Sequence, residues 1–364
     1  MSSLSTPVFR ALWGRKESDD YRLDEARRIL VIRQHNQLGD LLASTSLFRA
    51  LKQRFPFSEI TLIVSPPNKD AVLKNKYIDH RFIFDKSLIK NTAYLKALKS
   101  VLRKDYDICI VPVVVSNSFT SNLMAGLSDA KVKIGISSFD GIKNESDYFF
   151  THRVKLDWRT QPDMHVGDRI MDIVRPFGID TDDFRIEISF DEDDLAVAKK
   201  FIRRYENIGE RPLIGIHSGA GKLPNRWDYK NFITLIEKLR KEYNASIYLT
   251  GTNADLDITE AIKKSLSFSV LDFLNKSIPE AAALISLSDL FVTNDTGVMH
   301  VAGSTATPQI SLFGPTNPFQ WAPVGKEKHF LRKSDIIDDI TVEEVFSLCG
   351  TILSQSGGVK RSVK

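Results

Sequence analysis

The sequence predicts an α/β protein composed of two Rossmann-like domains with parallel sheets, and three observations support that fold class. The chain has 364 residues, which exceeds one ordinary core and fits two domains. Short apolar runs alternate with amphipathic stretches, a pattern typical of parallel α/β construction. The alternation is interrupted once, over about residues 140–185, where Asp, Arg, Trp and Pro cluster without a period. We therefore predict an extension over 1–27, domains over 28–180 and 181–350, and a polar tail over 351–364.

The first domain opens with "RILVIRQ", an apolar run that predicts a buried strand over 28–34. A loop follows, and a helix is expected from Asp40 to about Arg54. Further strands are predicted over 59–65, 106–115 and 132–136, with a helix over about 93–103.

The second domain repeats the alternation. Strands are predicted over 212–218, 246–251, 268–273, 290–294 and 308–314. Helices are predicted over about 191–207, 228–243, 254–266, 278–287 and 297–304, with a last helix in "TVEEVFSLCGTIL". Two such halves are expected to bind ligands at the carboxyl ends of their strands, in a cleft between the domains.

Composition excludes several classes of protein. Hydrophobic residues make up 42% and charged residues 26% of the chain, as in soluble globular proteins. No apolar run reaches the roughly 18 residues of a spanning helix, and the N-terminus lacks a signal-peptide pattern. The two cysteines, Cys109 and Cys349, lie far apart in apolar surroundings, which argues against a disulfide framework. We expect a cytoplasmic protein.

The net charge of +4 is unevenly distributed. Residues 1–180 carry 28 Lys/Arg against 21 Asp/Glu, or +7, whereas residues 181–364 carry 22 against 25, or −3. The positive half suits an anionic partner such as a membrane surface or a phosphorylated acceptor, although ordinary scatter of surface charge explains it equally well. No arginine-rich patch interleaved with aromatic residues indicates a nucleic-acid partner.

The N-terminal extension contains "PVFRALWGRK", which predicts a short amphipathic helix. Such a helix fits a foot at a membrane interface. Packing on the protein's own surface and disorder are the two alternatives.

The segment "HSGAGKLPNRW" predicts a phosphate-binding loop between a strand and a helix. A Walker loop is excluded, because Ile216 replaces the required first glycine and Leu223 the required Ser or Thr. The lack of a G-x-G-x-x-G motif after the first strand weakens a dehydrogenase interpretation. An ordinary tight turn with a surface lysine remains the alternative. The candidate phosphate-binding residues are Ser218, Gly219, Lys222 and Arg226.

Two further segments follow predicted strands. "VTNDTGVMHVAG" places Asp295, Thr296 and Gly297 at the start of a helix, where they either bind an anion and hydroxyl groups or merely cap the helix. A similar junction recurs at Gly314 in "LFGPTNPFQW". In the first domain Gly39-Asp40 opens a helix, and Asp40 is either a general base or an acid with only a dipole role.

A metal site is not expected. The pairs Asp105/Asp107 and Asp255/Asp257 have spacing that divalent cations use, but an acidic helix start explains the second pair. The seven histidines show no spaced pair on one helical face. No G-x-S-x-G elbow accompanies His300, so a serine triad is also disfavoured.

These motifs together resemble glycosyltransferase family 9, the ADP-heptose:lipopolysaccharide heptosyltransferases. The similarity lies in "RILVIRQHNQLGDLLASTSLFRALKQRFPFSEITLIV", in "PLIGIHSGAGKLPNRWDYKNFITLIEKL" and in "SDLFVTNDTGVMHVAGSTATPQISLFGPTNPFQWAP", and it extends over about residues 28–350. The last stretch contains the D-[ST]-G-x-x-H and F-G-P-T signatures of that family.

The resemblance implies a GT-B fold with the acceptor on the first domain and the sugar nucleotide on the second. It implies an inverting transfer of heptose from ADP-heptose to a lipopolysaccharide inner-core acceptor, without metal or other cofactor. Asp40 matches the family's general base, Asp295 the residue that binds donor sugar hydroxyls, and Thr296-Gly297 the helix start that takes the diphosphate. The implied donor site also includes Gly39, Thr250, Gly251, His300 and Gly314.

Some positions depart from the family pattern. Members often carry a lysine where this chain has Asn225, so that Lys222 or Arg226 must supply the cation. The family pattern includes an acidic residue that binds the ribose, and in this chain either Asn253 or Asp255 occupies the matching position. Three alternatives therefore stay open: another sugar nucleotide as donor, an epimerase of the same fold, and a non-catalytic sugar-nucleotide or glycan-binding protein. A peripheral contact with the cytoplasmic face of the inner membrane is a further expectation.

Overall fold

Two compact units form the protein, Met1–Phe184 and Arg185–Lys364. The computed structural model describes residues 5–113, 115–205 and 211–356. The division falls just after the aperiodic stretch in which the sequence places a domain boundary at 180/181.

The first unit contains a seven-stranded sheet of order β3-β2-β1-β4-β5-β6, with β7 beside β5. All its pairings are parallel except that of β5 with β6. Central β1 is buried after its first residue, as expected for a strand covered on both faces. The strands are β1 Arg28–Arg33, β2 Glu59–Val64, β3 His80–Ile83, β4 Ile108–Ile110, β5 Val132–Phe139, β6 Ile142–Lys143 and β7 His152–Leu156.

The second unit contains a six-stranded parallel sheet of order β10-β9-β8-β11-β12-β13. In both sheets the chain moves outward from a central strand and then crosses to its other side, which is the Rossmann arrangement. The strands are β8 Leu213–His217, β9 Ser246–Gly251, β10 Leu271–Leu274, β11 Leu290–Asn294, β12 Gln309–Leu312 and β13 Lys328–Leu331.

Helices connect the strands of both units. The first unit has α1 Ser5–Trp13, α2 Leu38–Ala43, α3 Thr45–Arg54, α4 Thr92–Leu102, α5 Phe119–Leu127 and α6 Val166–Arg169. The second has α7 Glu192–Ile202, α8 Tyr229–Tyr243, α9 Leu256–Ser265, α10 Ile278–Ser286, α11 Gly297–Gly303, α12 Pro318–Trp321 and α13 Val342–Ser356. None of the described helices combines the length and apolar composition needed to cross a lipid bilayer.

Each unit has its own apolar core. In the second unit Trp227 is fully buried, packs edge-on against Phe232 and donates from its indole N–H to the Ile340 carbonyl at 2.9 Å. In the first unit Leu30 and Ile32 of β1 share a core with Cys109. Burial raises the pKa of both free thiols, Cys109 and Cys349, to about 12, so neither is a reactive thiolate near neutral pH.

The structure differs from the predicted elements at several points. Strands β3, β6, β7 and β13 and helices α5, α6 and α12 were not predicted. The strand expected over 106–115 is reduced to Ile108–Ile110, with residue 114 outside the described residues. Helix α13 continues to Ser356, into the segment that the sequence assigns to the polar tail, and residues 357–364 of that tail lie outside the described residues.

The N-terminal helix packs on the protein's own surface. The Phe9 ring lies 5.8 Å from that of Phe119, and the Arg10 guanidinium lies over the Tyr148 ring. Downstream, the Arg15 amide donates to the Tyr148 carbonyl at 2.7 Å. Of the three alternatives for this segment, packing on the first unit is therefore the one observed.

Candidate functional site

The carboxyl ends of β8, β11 and β12 meet at one edge of the second sheet. Strand β11 lies between the other two, with Thr293 paired with His217 and Asn294 with Leu312. Parallel strands end at the same edge, so the loops that follow these three strands converge there. Most of the predicted donor-binding residues lie in these loops.

Asn294, at the end of β11, fixes the loop that follows β8. Its side-chain amide donates to the carbonyls of Ser218 at 2.9 Å and Gly219 at 3.2 Å. Its side-chain oxygen accepts the Trp227 amide at 3.2 Å. Asn294 is fully buried and was not predicted as a site residue; its position between a strand and Asp295 was the available signal.

Asp295 is bound by neutral side chains. The Asn225 amide donates to Asp295 Oδ2 at 2.8 Å and lies 3.3 Å from the Thr316 hydroxyl. Burial raises the pKa of Asp295, while a hydrogen bond from Thr316 and the charge of Lys222 act in the opposite direction. The structure thus brings together the ends of all three loops around one partly buried carboxyl group.

The two predicted cations have different surroundings. The Arg226 guanidinium donates to the Ala220 carbonyl at 2.7 Å and so holds the glycine loop. Lys222 is exposed, and its ammonium donates to no group among the residues that the structure describes. Of the two, Lys222 is therefore the cation that can turn to a ligand without loss of a protein contact.

At two positions of these loops, neighbouring atoms lie too close to the backbone for any residue but glycine. A Cβ on Gly219 would lie 2.0 Å from Asp255 Oδ1, and one on Gly314 would lie 2.8 Å from the Pro224 carbonyl oxygen. A Cβ on Gly221 would meet nothing within 4 Å. Gly219 and Gly314 therefore let the loops pack together, whereas Gly221 leaves open space beside Lys222.

Asp255 has a structural role in this state of the protein. Its carboxylate accepts the Thr252 amide at 2.8 Å and closes a capping box before α9. Asn253, the other residue considered for ribose, exchanges hydrogen bonds with Asn275. Both candidates are thus already bonded to protein groups.

Thr250 and Gly251 lie behind the glycine loop. The ring Nδ1 of His217 is 3.1 Å from the Thr250 carbonyl oxygen, and burial lowers the pKa of His217. A Cβ on Gly251 would lie 3.1 Å from Asp255 Cβ. These contacts link the end of β9 to the loop, but they do not bring Thr250 or Gly251 to Asp295.

In the described part of the chain, no side chain caps the N-terminus of α11 with a hydrogen bond. Thr296 occupies the N-cap position without a side-chain capping bond, and Asp295 is bonded to Asn225 instead. The interpretation of these residues as a simple helix cap is therefore wrong. Gly297 begins the helix, and His300 is buried one turn later with its ring 6.2 Å from that of Trp321.

In the first unit, the predicted base is paired with an arginine. The Arg33 guanidinium donates to Asp40 Oδ2 at 2.7 Å, and both side chains are buried. Gly39 precedes Asp40 in α2. Arg33 was not predicted, although a basic residue at the end of a buried strand just before the Gly-Asp pair is a usable signal.

His35 adds a neutral partner to this pair. Its Nδ1 contacts the Arg33 guanidinium, and burial together with the charges of Arg33 and Lys86 lowers the pKa of His35 to about 4. The ring is therefore neutral near pH 7 and accepts from Arg33. Arg33 keeps its positive charge, which favours the carboxylate form of Asp40.

One aspartate of each pair considered for metal, Asp107 and Asp255, is bonded to protein groups. Asp107 accepts the amides of Arg27 and Arg28 and an ammonium hydrogen bond from Lys131. Over the described ranges, no three His, Cys, Asp or Glu side chains come together as metal ligands.

The chain matches one protein family. A family model described as glycosyltransferase family 9 (heptosyltransferase) matches residues 94–345. The lipooligosaccharide heptosyltransferase 2 of Haemophilus influenzae is 27% identical over 308 residues, which are 81% of this chain and 86% of that protein. The lipopolysaccharide heptosyltransferase 3 of Escherichia coli K12 is 25% identical over 299 residues, which are 78% and 82% of the two chains.

Solved structures agree in fold. A family 9 glycosyltransferase from Veillonella parvula superposes with a TM-score of 0.79 at 20% identity, covering 92% of this chain and all of that one. The E. coli ADP-heptose lipopolysaccharide heptosyltransferase II gives a TM-score of 0.75 at 21% identity, covering 90% and 99%. These matches confirm the predicted GT-B fold class.

Proposed function

Since the chain belongs to glycosyltransferase family 9, we propose that it transfers a heptose from ADP-heptose to a lipopolysaccharide inner-core acceptor. The single observation that most supports this function is the convergence of three loops around Asp295 in the second unit. A carboxylate between hydrogen-bonding loops suits sugar hydroxyls, and the glycine loop with Lys222 beside it suits phosphate oxygens. The relatives named above support the same class of donor and acceptor.

Asp40 acts as the general base in this proposal. It removes the proton of the acceptor hydroxyl as that oxygen attacks the anomeric carbon of the donor sugar. The bond from the anomeric carbon to the diphosphate oxygen breaks, and ADP leaves with the electron pair. A single displacement of this kind inverts the anomeric configuration. The pairing of Asp40 with Arg33 supports the role, because the bond from the guanidinium holds the carboxyl group in place and a neighbouring positive charge favours the carboxylate form.

Lys222 replaces the family's usual lysine at the diphosphate. Asn225 is neutral and already bonded to Asp295, so it supplies no charge to a phosphate. The exposed ammonium of Lys222 and the backbone N–H groups of the glycine loop oppose the negative charge that grows on the leaving group. No metal ion is needed for that stabilisation, and none is included in the proposed reaction.

Transfer is tested by mass spectrometry of reactions that contain the protein, ADP-heptose and defined lipopolysaccharide core acceptors. The expected product is the acceptor with one added heptose of inverted configuration. Asp40→Asn keeps the shape of the side chain but removes the base, so we expect turnover to fall by at least about 100-fold with little change in donor affinity.

Other outcomes separate the alternatives. Transfer only from a different sugar nucleotide would reassign the donor, and conversion of the sugar nucleotide without acceptor would indicate an epimerase. Calorimetry that detects donor binding while no acceptor is modified would support a non-catalytic binding protein. Normal turnover of Asp40→Asn would exclude Asp40 as the base.

A further inference from the structure

A run without acidic residues accounts for most of the net positive charge of residues 1–180. Residues 86–104 contain six Lys/Arg and no Asp or Glu. Without these six, residues 1–180 hold 22 basic residues against 21 acidic ones, so the excess falls from +7 to +1. Scatter over the surface therefore does not account for the charge of this half. The six residues are Lys86, Lys90, Lys96, Lys99, Arg103 and Lys104.

The six cations are exposed and lack acidic partners. Each is solvent-exposed, and none forms an ion pair with any residue in the described ranges. Lys96, Lys99 and Arg103 follow one another at spacings of three and four residues along and just beyond α4, which places them on one face. Like charges at these spacings repel one another and destabilise a helix. A bound anion relieves that repulsion, so the arrangement favours binding of an external anion.

The segment is held rigidly to the unit. The Tyr94 hydroxyl accepts the Asp85 amide at 2.7 Å and donates to the Ile83 carbonyl at 3.0 Å, which ties α4 to the end of β3. The Asn91 side chain caps α4. On the opposite side of α4, Leu98, Val101 and Leu102 pack into the core. The basic side therefore lies on the outer face of a helix that is anchored to the first unit.

Apolar side chains accompany the charges. Leu88 is 42% exposed and Ile89 49% exposed, both in the turn before α4, and Leu95 is 43% exposed in its first turns. A surface that presents lysines together with exposed aliphatic side chains matches an anionic lipid interface, where the cations meet headgroups and the aliphatic groups enter the acyl boundary.

We propose that residues 86–104 form a docking surface for a bilayer that contains anionic phospholipids. The proposal rests on the proposed function only in that a lipid-borne acceptor requires an enzyme at the membrane surface. The sequence alone suggests the N-terminal helix as the membrane contact. The proposal assigns that contact to residues 86–104 instead.

Cosedimentation of the full-length protein with vesicles tests the surface without donor or acceptor. We expect binding to vesicles of phosphatidylglycerol and phosphatidylcholine in equal parts, weaker binding to phosphatidylcholine alone, and a decrease as salt is added. Lys96→Glu/Lys99→Glu/Arg103→Glu should lower the partition coefficient at least about tenfold. Leu88→Ser/Ile89→Ser should also lower it, with less effect on salt dependence.

The matched control is Lys200→Glu/Lys241→Glu/Lys264→Glu, which reverses three exposed helical lysines of the second unit and changes net charge equally. Equal loss in this control, or equal binding of the wild type to both vesicles, would overturn the proposal. Turnover of a water-soluble acceptor fragment should be unchanged in the Lys96/Lys99/Arg103 variant. A parallel loss there would reassign the segment to acceptor binding. The vesicle measurements test whether residues 86–104 bind anionic lipid even if the protein transfers no sugar.

Discussion

A neutral amide faces a carboxyl group at the centre of the candidate donor site. Asn225 bonds to Asp295, and Arg226 is bonded to the loop carbonyl of Ala220. Lys222 is left as an exposed cation whose charge acts on Asp295. Because Asn225 is neutral, the proposed function assigns the positive charge at the phosphates to Lys222, three residues earlier in the same loop.

Lys222→Gln should weaken binding of ADP. Removal of one charge-assisted hydrogen bond to phosphate should raise the Kd about tenfold, with thermal stability unchanged because Lys222 is exposed. Isothermal titration calorimetry measures the effect. Lys230→Gln, an exposed lysine at the start of α8, is the control and should bind ADP like the wild type. If Lys222→Gln bound ADP as tightly as the wild type, Lys222 would be excluded and Arg226 would be the remaining candidate for the phosphate-binding cation.

At this scale the sequence identifies residues that stand in motifs, such as Asp40 and Asp295, as candidates. It does not identify the residues that hold them. Arg33 lies on the strand seven residues before Asp40, and Asn294 bonds to the Ser218 carbonyl, 76 positions away in the chain. Their places at strand ends make both residues candidates, but the motifs themselves do not give these contacts. The choice between Asn253 and Asp255 is not decided by the structure either, because Asp255 is bonded within the capping box at Thr252 and Asn253 is bonded to Asn275.

At the scale of elements, the central strands were predictable and the edge strands β3 and β13 were not, although the edge strand β10 overlaps a predicted strand. Strands β1 and β8 are continuous apolar runs because both faces are covered. Strand β3, "HRFI", and strand β13, "KHFL", are four residues long, polar at one end and only partly buried. Such short edge segments carry too little pattern to be separated from loops.

The N-terminal helix should stabilise the first unit through one side chain. Phe9 lies against Phe119 and Trp13, whereas Leu12 is 64% exposed. Phe9→Ala should therefore lower the free energy of unfolding by about 1–2 kcal/mol, and Leu12→Ala by less than about 0.5 kcal/mol. Urea denaturation of both variants measures the difference. A loss of vesicle binding in Leu12→Ala, with stability intact, would instead support a membrane role for this helix.

At the scale of the whole molecule, the partly buried His35 and the buried His217 should make the protein sensitive to mild acid. The pKa of His35 is lowered from 6.5 to about 4, and that of His217 is lowered as well, both mainly by burial. Below pH 6.5 the unfolded chain therefore binds protons that the folded chain does not. Stability should fall as the pH decreases from about 6.5 toward 4, because protonation favours the unfolded state.

His35→Gln should reduce this acid sensitivity. The loss of free energy of unfolding between about pH 7 and pH 4 should be smaller than in the wild type by about 1–3 kcal/mol. Urea denaturation over a pH series measures the slope. His80→Gln removes an exposed histidine and should keep the wild-type slope. Identical slopes in all three proteins would show that His35 is not held neutral by the fold.

The order of the strands along the chain has a consequence for synthesis on the ribosome. Every strand of the first sheet precedes Phe184, so the whole sheet is available before the second unit is translated. At about 5–20 residues per second, translation of the second unit takes roughly 10–40 s. That delay gives β1 and β4, which are far apart in sequence, time to pair without competition from the apolar strands of the other sheet. We expect this delay to limit the exchange of strands between two similar sheets while the chain is still nascent.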